Sequence, residues 1–191
     1  MTSEPYASLG RAFAAAGVRW FVFGAQAAIL HGAMRFTEDI DVTVDGMRIP
    51  TSSLVQALQR EGLQLRVPRD VEGFIAKTRV LPMYHQASMT PVDVVLSGPG
   101  IEEMFFERVV TMEVEDVPIP VAAPEDVVVM KVLSARPKDL EDVVAVLAAQ
   151  PSLDHEQIRD LLADLEQALA QSDLLPAFEA ALARAERGTS R

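Results

Sequence analysis

The stretch Val22–Asp45, VFGAQAAILHGAMRFTEDIDVTVD, decides how this chain is read. An apolar run breaks at Gly24, a short run of small helix-forming residues ends at His31-Gly32, and the last part alternates. Asp39, Asp41, Thr43 and Asp45 take one side of a strand, and Ile40, Val42 and Val44 take the other. Residues two apart on a strand stand about 6–7 Å from each other along it, so Asp39 and Asp41 can share one cation or hold two ions about 4 Å apart. Magnesium prefers hard oxygen ligands and binds few protein carboxylates beside phosphates and water. Two carboxylates next to a glycine turn are therefore a candidate divalent-metal site. An Asp-x-Asp pair also suits the solvent face of an edge strand.

Upstream, residues 6–16 (YASLGRAFAAA) predict a helix ended by Gly17, and Arg19–Phe23 (RWFVF) predicts a buried central strand. Gly24 breaks that strand, Ala25–Leu30 reads as a helix, and Thr37–Asp45 reads as the second strand. Downstream, Thr51–Glu61 is an amphipathic helix, Leu63–Val67 an edge strand, and Phe74–Met83 a further strand. Val92–Leu96 is an apolar strand carrying one acid, Asp93. A short helix (Ile101–Phe106) and a strand pair (Val109–Val114, Val117–Val121) follow. Beyond Ala122 the pattern becomes helical, with Pro124 and Pro137 at favoured first positions, then helices from Asp154 to about Gln171 and from Leu174 to about Arg187. The expected fold class is α+β: a mixed sheet flanked by helices (residues 1–122), then a C-terminal helical subdomain (123–191).

Composition narrows the function classes. The 191 residues are 49% hydrophobic and 24% charged, enough to bury a core, and carry a net charge of −11. So acidic a chain does not coat nucleic acid with a basic surface; an RNA partner needs a local basic groove or metal ions that mask the carboxylates. The chain has no cysteine, which excludes disulfides and cysteine-based zinc sites. The absence of a membrane-length apolar run and of a signal-peptide pattern leads to the expectation of a cytoplasmic protein. Asp93, flanked by valines, should need a metal or a cation beside it. Gly24 allows close backbone approach to a phosphate, with helix amides following.

Taken together, Gly24-Ala25, thirteen intervening residues and Asp39-Ile40-Asp41 resemble the polymerase-beta-type nucleotidyltransferase superfamily. The longer string Gly24…His31-Gly32…Arg35…Thr37…Asp39-Ile-Asp41 resembles its minimal members of the AbiEii type, several of which are toxins of toxin–antitoxin pairs. The resemblance continues through Pro91-Val-Asp93, at the third carboxylate's place. It extends to Lys131…Arg136-Pro-Lys138-Asp139-Leu-Glu-Asp142, which is similar to that group's helical Lys…Arg…Lys-Asp…Asp motif. It covers roughly residues 18–148.

The resemblance implies that Asp39 and Asp41 bind two magnesium ions bridging the triphosphate of a nucleoside triphosphate. Asp93 would ligand the metal that activates the acceptor oxygen. The amides of Gly24 and Ala25 would hold phosphates, with Gln26 beside them; the superfamily usually has Gly-Gly or Gly-Ser where this chain has Gly24-Ala25. Lys131 reaches an acid or a phosphate, or snorkels at its helix edge. Lys138, Arg35 and Thr37 join it as nucleotide-binding candidates, and for Arg35 and Thr37 a structural bond to the loop is the equal alternative. Arg60, Arg66, Arg69, Lys77 and Arg79 form either one wall of an acceptor groove or a solvated surface. The expected activity is magnesium-dependent transfer of a nucleoside monophosphate to RNA (such as tRNA) or protein, with an antitoxin as possible partner and no membrane. The alternatives are a small-molecule acceptor, as in antibiotic-modifying members, and a degenerate nucleotide- or partner-binding module.

Overall fold

The computed structural model describes residues 2–46, 49–66 and 71–189. The chain forms two compact units: Met1–Gln26 with Thr37–Ala122, and Ala27–Phe36 with Ala123–Arg191. Among the described residues no helix is long and apolar enough to cross a membrane.

The first unit is built on one mixed sheet. In chain order it holds α1 (Glu4–Ala16), β1 (Trp20–Phe23), the start of α2 (Gly24–Leu30), β2 (Ile40–Val44), α3 (Thr51–Arg60), β3 (Leu63–Leu65), α4 (Val71–Thr78), β4 (Val80–His85), β5 (Pro91–Leu96), α5 (Ile101–Phe106), β6 (Val110–Val114) and β7 (Val117–Val121). The seven strands lie in the order β3-β4-β5-β2-β1-β7-β6. β2 runs parallel to β5, and β1 parallel to β7; the remaining neighbours are antiparallel. The valine-rich centre explains this arrangement. Ile40, Val42, Val44, Val92 and Val94 are all buried, so one face of the β2–β5 pair is continuous core. Tyr6, Leu9 and Phe13 of α1 and Leu54 and Leu58 of α3 are buried too, and the two helices pack together.

Two expected strands come out differently. The second strand begins at Ile40, not at Thr37, so Asp39 lies one residue before it and is exposed. Phe74–Met83 is not one strand: Val71–Thr78 forms α4, and β4 begins at Val80. The apolar residues Val71, Phe74 and Ile75 recur at helical spacing, and the Thr78 hydroxyl donates to the Phe74 carbonyl (2.9 Å). Arg79, at φ 56°, then turns the chain into β4. The third strand is Leu63–Leu65; Val67, expected in it, and Arg69 lie outside the described residues. Pro82 explains the short β3. It accepts from the Arg66 amide (2.9 Å) but has no N–H to return, so the ladder ends there.

The second unit contains α6 (Pro124–Ser134), α7 (Pro137–Ala149), α8 (His155–Leu169) and α9 (Leu174–Thr189). Val127, Val128, Val129 and Val132 are all buried, and α6 is the element against which α7, α8 and α9 pack. A buried ion cluster ties α6 to α7. The Lys131 ammonium donates to Asp139 Oδ1 (2.8 Å) and Asp142 Oδ2 (2.7 Å). Arg35 also donates to Asp142 (2.8 Å), while Ser134 (2.8 Å) and Arg136 donate to Asp139. Burial opposes the charge on Asp139, but hydrogen bonds from Arg136, Lys131 and Ser134, with the charge of Lys131, outweigh it and hold the carboxyl down at about 2.

A carboxylate held this far below its ordinary value contributes stability above that value, which is lost as pH falls through the folded one. Acid titration should therefore remove about 2 kcal/mol of stability between about pH 4 and pH 2 in a manner that Asp139→Asn abolishes. Lys131→Met removes the buried cation shared by both carboxylates, leaving Asp142 to Arg35 and Asp139 to Arg136 and Ser134, and should cost about 3 kcal/mol in urea unfolding at neutral pH. A loss below 1 kcal/mol would show that the cluster is solvated.

Candidate active site

The parallel pairing of β2 with β5 sets Asp41 directly opposite Asp93. Residues in register on adjacent strands share a face, and adjacent strands lie about 4.8 Å apart. The same transverse row can be followed across the sheet. Phe23 stands opposite Asp41, Pro82 opposite Asp93, and the Arg66 amide bonds to Pro82 beyond it. Both aspartates are half-buried on a face whose next register step, Thr43, is buried. The sequence expects Asp93 to need a cation, and it has one: the Arg66 guanidinium forms an ion pair with its carboxylate. The carboxylate is 36% exposed, more open than its valine neighbours suggest.

Gly24 underlies Asp41. Its φ is 66°, and a Cβ added there would overlap the Asp41 carboxylate. The turn is thus required by Asp41 as much as by any phosphate: only glycine accepts both the backbone conformation and the close side chain. Tyr6, absent from the candidates read in the sequence, also belongs here. It is buried, and burial first, then the negative charge of Asp41, push its phenol far above the ordinary value. It remains a neutral group in the field of Asp41. Its only sequence signal is a polar tip on a core-facing helix position, which does not say where the tip points.

The other candidates are distributed as follows. Asp39 is not brought into a three-carboxylate group: among the described residues no three histidine, cysteine, aspartate or glutamate side chains are spaced to hold a metal ion. Asp41 and Asp93 are a pair, and magnesium, which takes one or two protein carboxylates plus phosphate and water, fits such a pair. Gln26 is buried at 3% exposure, and its Oε1 has no hydrogen-bond partner among the described residues. An unpartnered buried amide oxygen two residues after Gly24 is a place where a ligand N–H or O–H would be accommodated. Ala25 and Thr37 are half-buried in the first unit. Arg35, Lys131 and Lys138 belong to the second unit. There Arg35 and Lys131 are engaged by Asp142 and by Asp139 and Asp142, and Lys138 is exposed.

Of the basic segment, Arg66 and Arg79 are both engaged within the first unit, and Arg69 lies outside the described residues. Arg66 pairs with Asp93, whereas Arg79 donates to the Leu96 carbonyl (2.6 Å) and Glu102 (2.9 Å). His85 is buried between the Ser8 hydroxyl (3.4 Å) and the Ser88 hydroxyl (2.9 Å). His31 is buried at the end of α2, where its carbonyl accepts from Gln150 (3.3 Å).

A glycine turn, a strand carboxylate seated over it and a second carboxylate on the parallel neighbour is an arrangement for handling a metal-bound phosphate. The model of the family described as nucleotidyltransferase of unknown function (DUF6036) matches residues 14–180. The chain belongs to this nucleotidyltransferase family. No curated protein sequence matches it. Among solved structures it is similar to the antibiotic-resistance factor ANT(2'')-Ia in solution, with a TM-score of 0.58 and 14% identity over 87% of this chain and 91% of that one. ANT(2'')-Ia in complex with adenylyl-2''-tobramycin gives a TM-score of 0.56 and 16% identity over 88% and 99% of the two chains. The lincosamide antibiotic adenylyltransferase LnuA, bound to lincomycin, gives 0.51 and 15% over 76% and 96%. At these identities the likeness concerns the fold, and it makes the mixed sheet a nucleotidyltransferase fold.

For this nucleotidyltransferase, Gly24→Ala provides a local test. The added methyl meets the Asp41 carboxylate and is held at positive φ, so the variant should lose about 1–2 kcal/mol of stability. It should also lose at least tenfold in metal-dependent nucleotide binding, read by calorimetry. Wild-type binding by this variant would contradict the seating of Asp41 on Gly24.

Proposed function

We propose that the protein transfers a nucleoside monophosphate from a magnesium-bound nucleoside triphosphate to an acceptor hydroxyl, with pyrophosphate leaving. The observation that carries this reading is the register of Asp41 opposite Asp93, with the Gly24 turn against Asp41. Asp41 and Asp93 would hold the metal, with Asp39 approaching from the segment before β2. Bound there, magnesium supplies charge neutralisation on the triphosphate. The backbone amides of Gly24 and Ala25 would donate to the phosphates, with Gln26 beside them. Asp93, 36% exposed, would face the acceptor and take its proton. Positioning and electrostatics do the rest, as in other phosphoryl transfers.

For the acceptor, a small hydroxylated and cationic molecule is supported by two observations. The net charge of −11 attracts cations and repels polyanions, and ANT(2'')-Ia and LnuA are antibiotic adenylyltransferases or resistance factors. The pairing of Arg66 with Asp93 and of Arg79 with Glu102 leaves two of the segment's cations neutralised, which weighs against an RNA wall. RNA or protein as acceptor, and a toxin role of the AbiEii type with an antitoxin, rest on the motif resemblance.

The test is metal-dependent transfer from labelled nucleoside triphosphates to three acceptor pools: aminoglycosides and other small polyols, total RNA, and protein. Asp41→Asn and Asp93→Asn should each reduce transfer by about 10²–10³-fold or more with little change in thermal stability. Transfer that survives both substitutions would refute the assignment. Label appearing only on RNA or protein would replace the small-molecule reading.

A further inference from the structure

Arg66 holds a place that the proposed chemistry reserves for a cation. Its backbone is fixed by the bond from its amide to Pro82 (2.9 Å), at the end of the β3–β4 ladder. From there its side chain passes the Pro82 position and pairs with Asp93, one register step further along the same row. Pro82 has no polar side-chain atom to stop it on the way. The next step in the row is Asp41, so the guanidinium sits at one edge of the two-carboxylate pair.

Two like charges held in adjacent positions on one sheet face repel, and a positive charge beside them offsets this. The pair between Arg66 and Asp93 is also easy to break. The two side chains are 38% and 36% exposed, and exposed ion pairs are worth only about 0–1 kcal/mol. A divalent ion bringing its own charge and a triphosphate therefore displaces the guanidinium at little cost. The released guanidinium is a planar fork suited to phosphate oxygens, and its fixed backbone keeps it within side-chain reach of them.

We propose that Arg66 is a resident counter-ion for Asp93 that exchanges places with the metal. It neutralises Asp93 in the free protein, yields it when the metal–triphosphate enters, and then binds the triphosphate. This rests on the metal reading of Asp41 and Asp93 given above. It makes Arg66 an opponent of the bare metal and an ally of the metal–triphosphate, a combination that a purely structural arginine does not produce.

The experiment measures two affinities of the full chain: Mn²⁺ alone, by electron paramagnetic resonance, and Mn²⁺ with inorganic tripolyphosphate, by calorimetry. Wild type is compared with Arg66→Gln, Arg66→Lys and Asp93→Asn, with folding checked by circular dichroism. Arg66→Gln should bind Mn²⁺ alone about 3–10-fold more tightly and Mn²⁺–tripolyphosphate about 10-fold more weakly; Arg66→Lys should fall between it and wild type. If Mn²⁺ binding depends on Asp93 but Arg66→Gln does not strengthen it, the exchange is refuted and the metal reading stands. If Arg66→Gln strengthens Mn²⁺ binding but leaves tripolyphosphate affinity unchanged, the second half of the proposal is refuted. If neither wild type nor Arg66→Gln shows Asp93-dependent Mn²⁺ binding, the metal reading falls and the exchange falls with it.

Discussion

Two carboxylates placed one ladder step apart on the same sheet face are the constraint on which the site depends. The parallel register of β2 and β5 leaves Asp41 and Asp93 no freedom to avoid each other. Two unit charges about 5 Å apart repel by about 1–3 kcal/mol, depending on how well water screens them. A fold that keeps such a pair must provide positive charge nearby. In the free protein Arg66 provides it on Asp93. In the proposed working state a divalent cation does.

The surroundings of Asp41 follow from the same constraint. Its carboxylate is packed over Gly24, leaving no room for a Cβ, and the buried Tyr6 phenol stays neutral in its field. The hydrophobic half of the β2–β5 pair, with Ile40, Val42, Val92 and Val94 fully in the core, fixes the register, because a slip of one residue would bury the aspartates and expose the valines. Core packing on one face therefore sets the geometry of the acids on the other. In the second unit the buried carboxylates of Asp139 and Asp142 share Lys131, and Arg136 and Arg35 supply the further positive charge.

Much of this was legible in the chain from Val22 to Asp45. The strand, the Gly24 turn, the short helix and the alternation around Asp41 all follow from local patterns, and Asp93 stands out as a lone acid among valines. The resemblance read from those residues reached a nucleotidyltransferase, and the family match bears out that much; the AbiEii type rests on the motif alone. What local pattern could not give was anything set by long-range pairing. That Asp41 faces Asp93 is a matter of register between strands about fifty residues apart in sequence. That Arg66 answers Asp93 depends on Pro82 ending a ladder. Tyr6 lies far upstream and carries no spacing signal. Residues 74–83 alternate like one strand because the end of a two-turn helix and the following strand both carry apolar residues, and the left-handed turn at Arg79 that divides them has no glycine to announce it. Lys131 was read as reaching an acid or a phosphate; it reaches two acids, one α-helix away.

The central claim is that the pair Asp41–Asp93 directs attack to the α-phosphorus of a metal-bound triphosphate. Parallel reactions with the same nucleoside triphosphate, labelled with ³²P at either the α or the γ position, test it most directly. The α label should become attached to the acceptor in a metal-dependent reaction while the γ label is released entirely as pyrophosphate. Transfer of the γ label to the acceptor, or its release as orthophosphate, would contradict it.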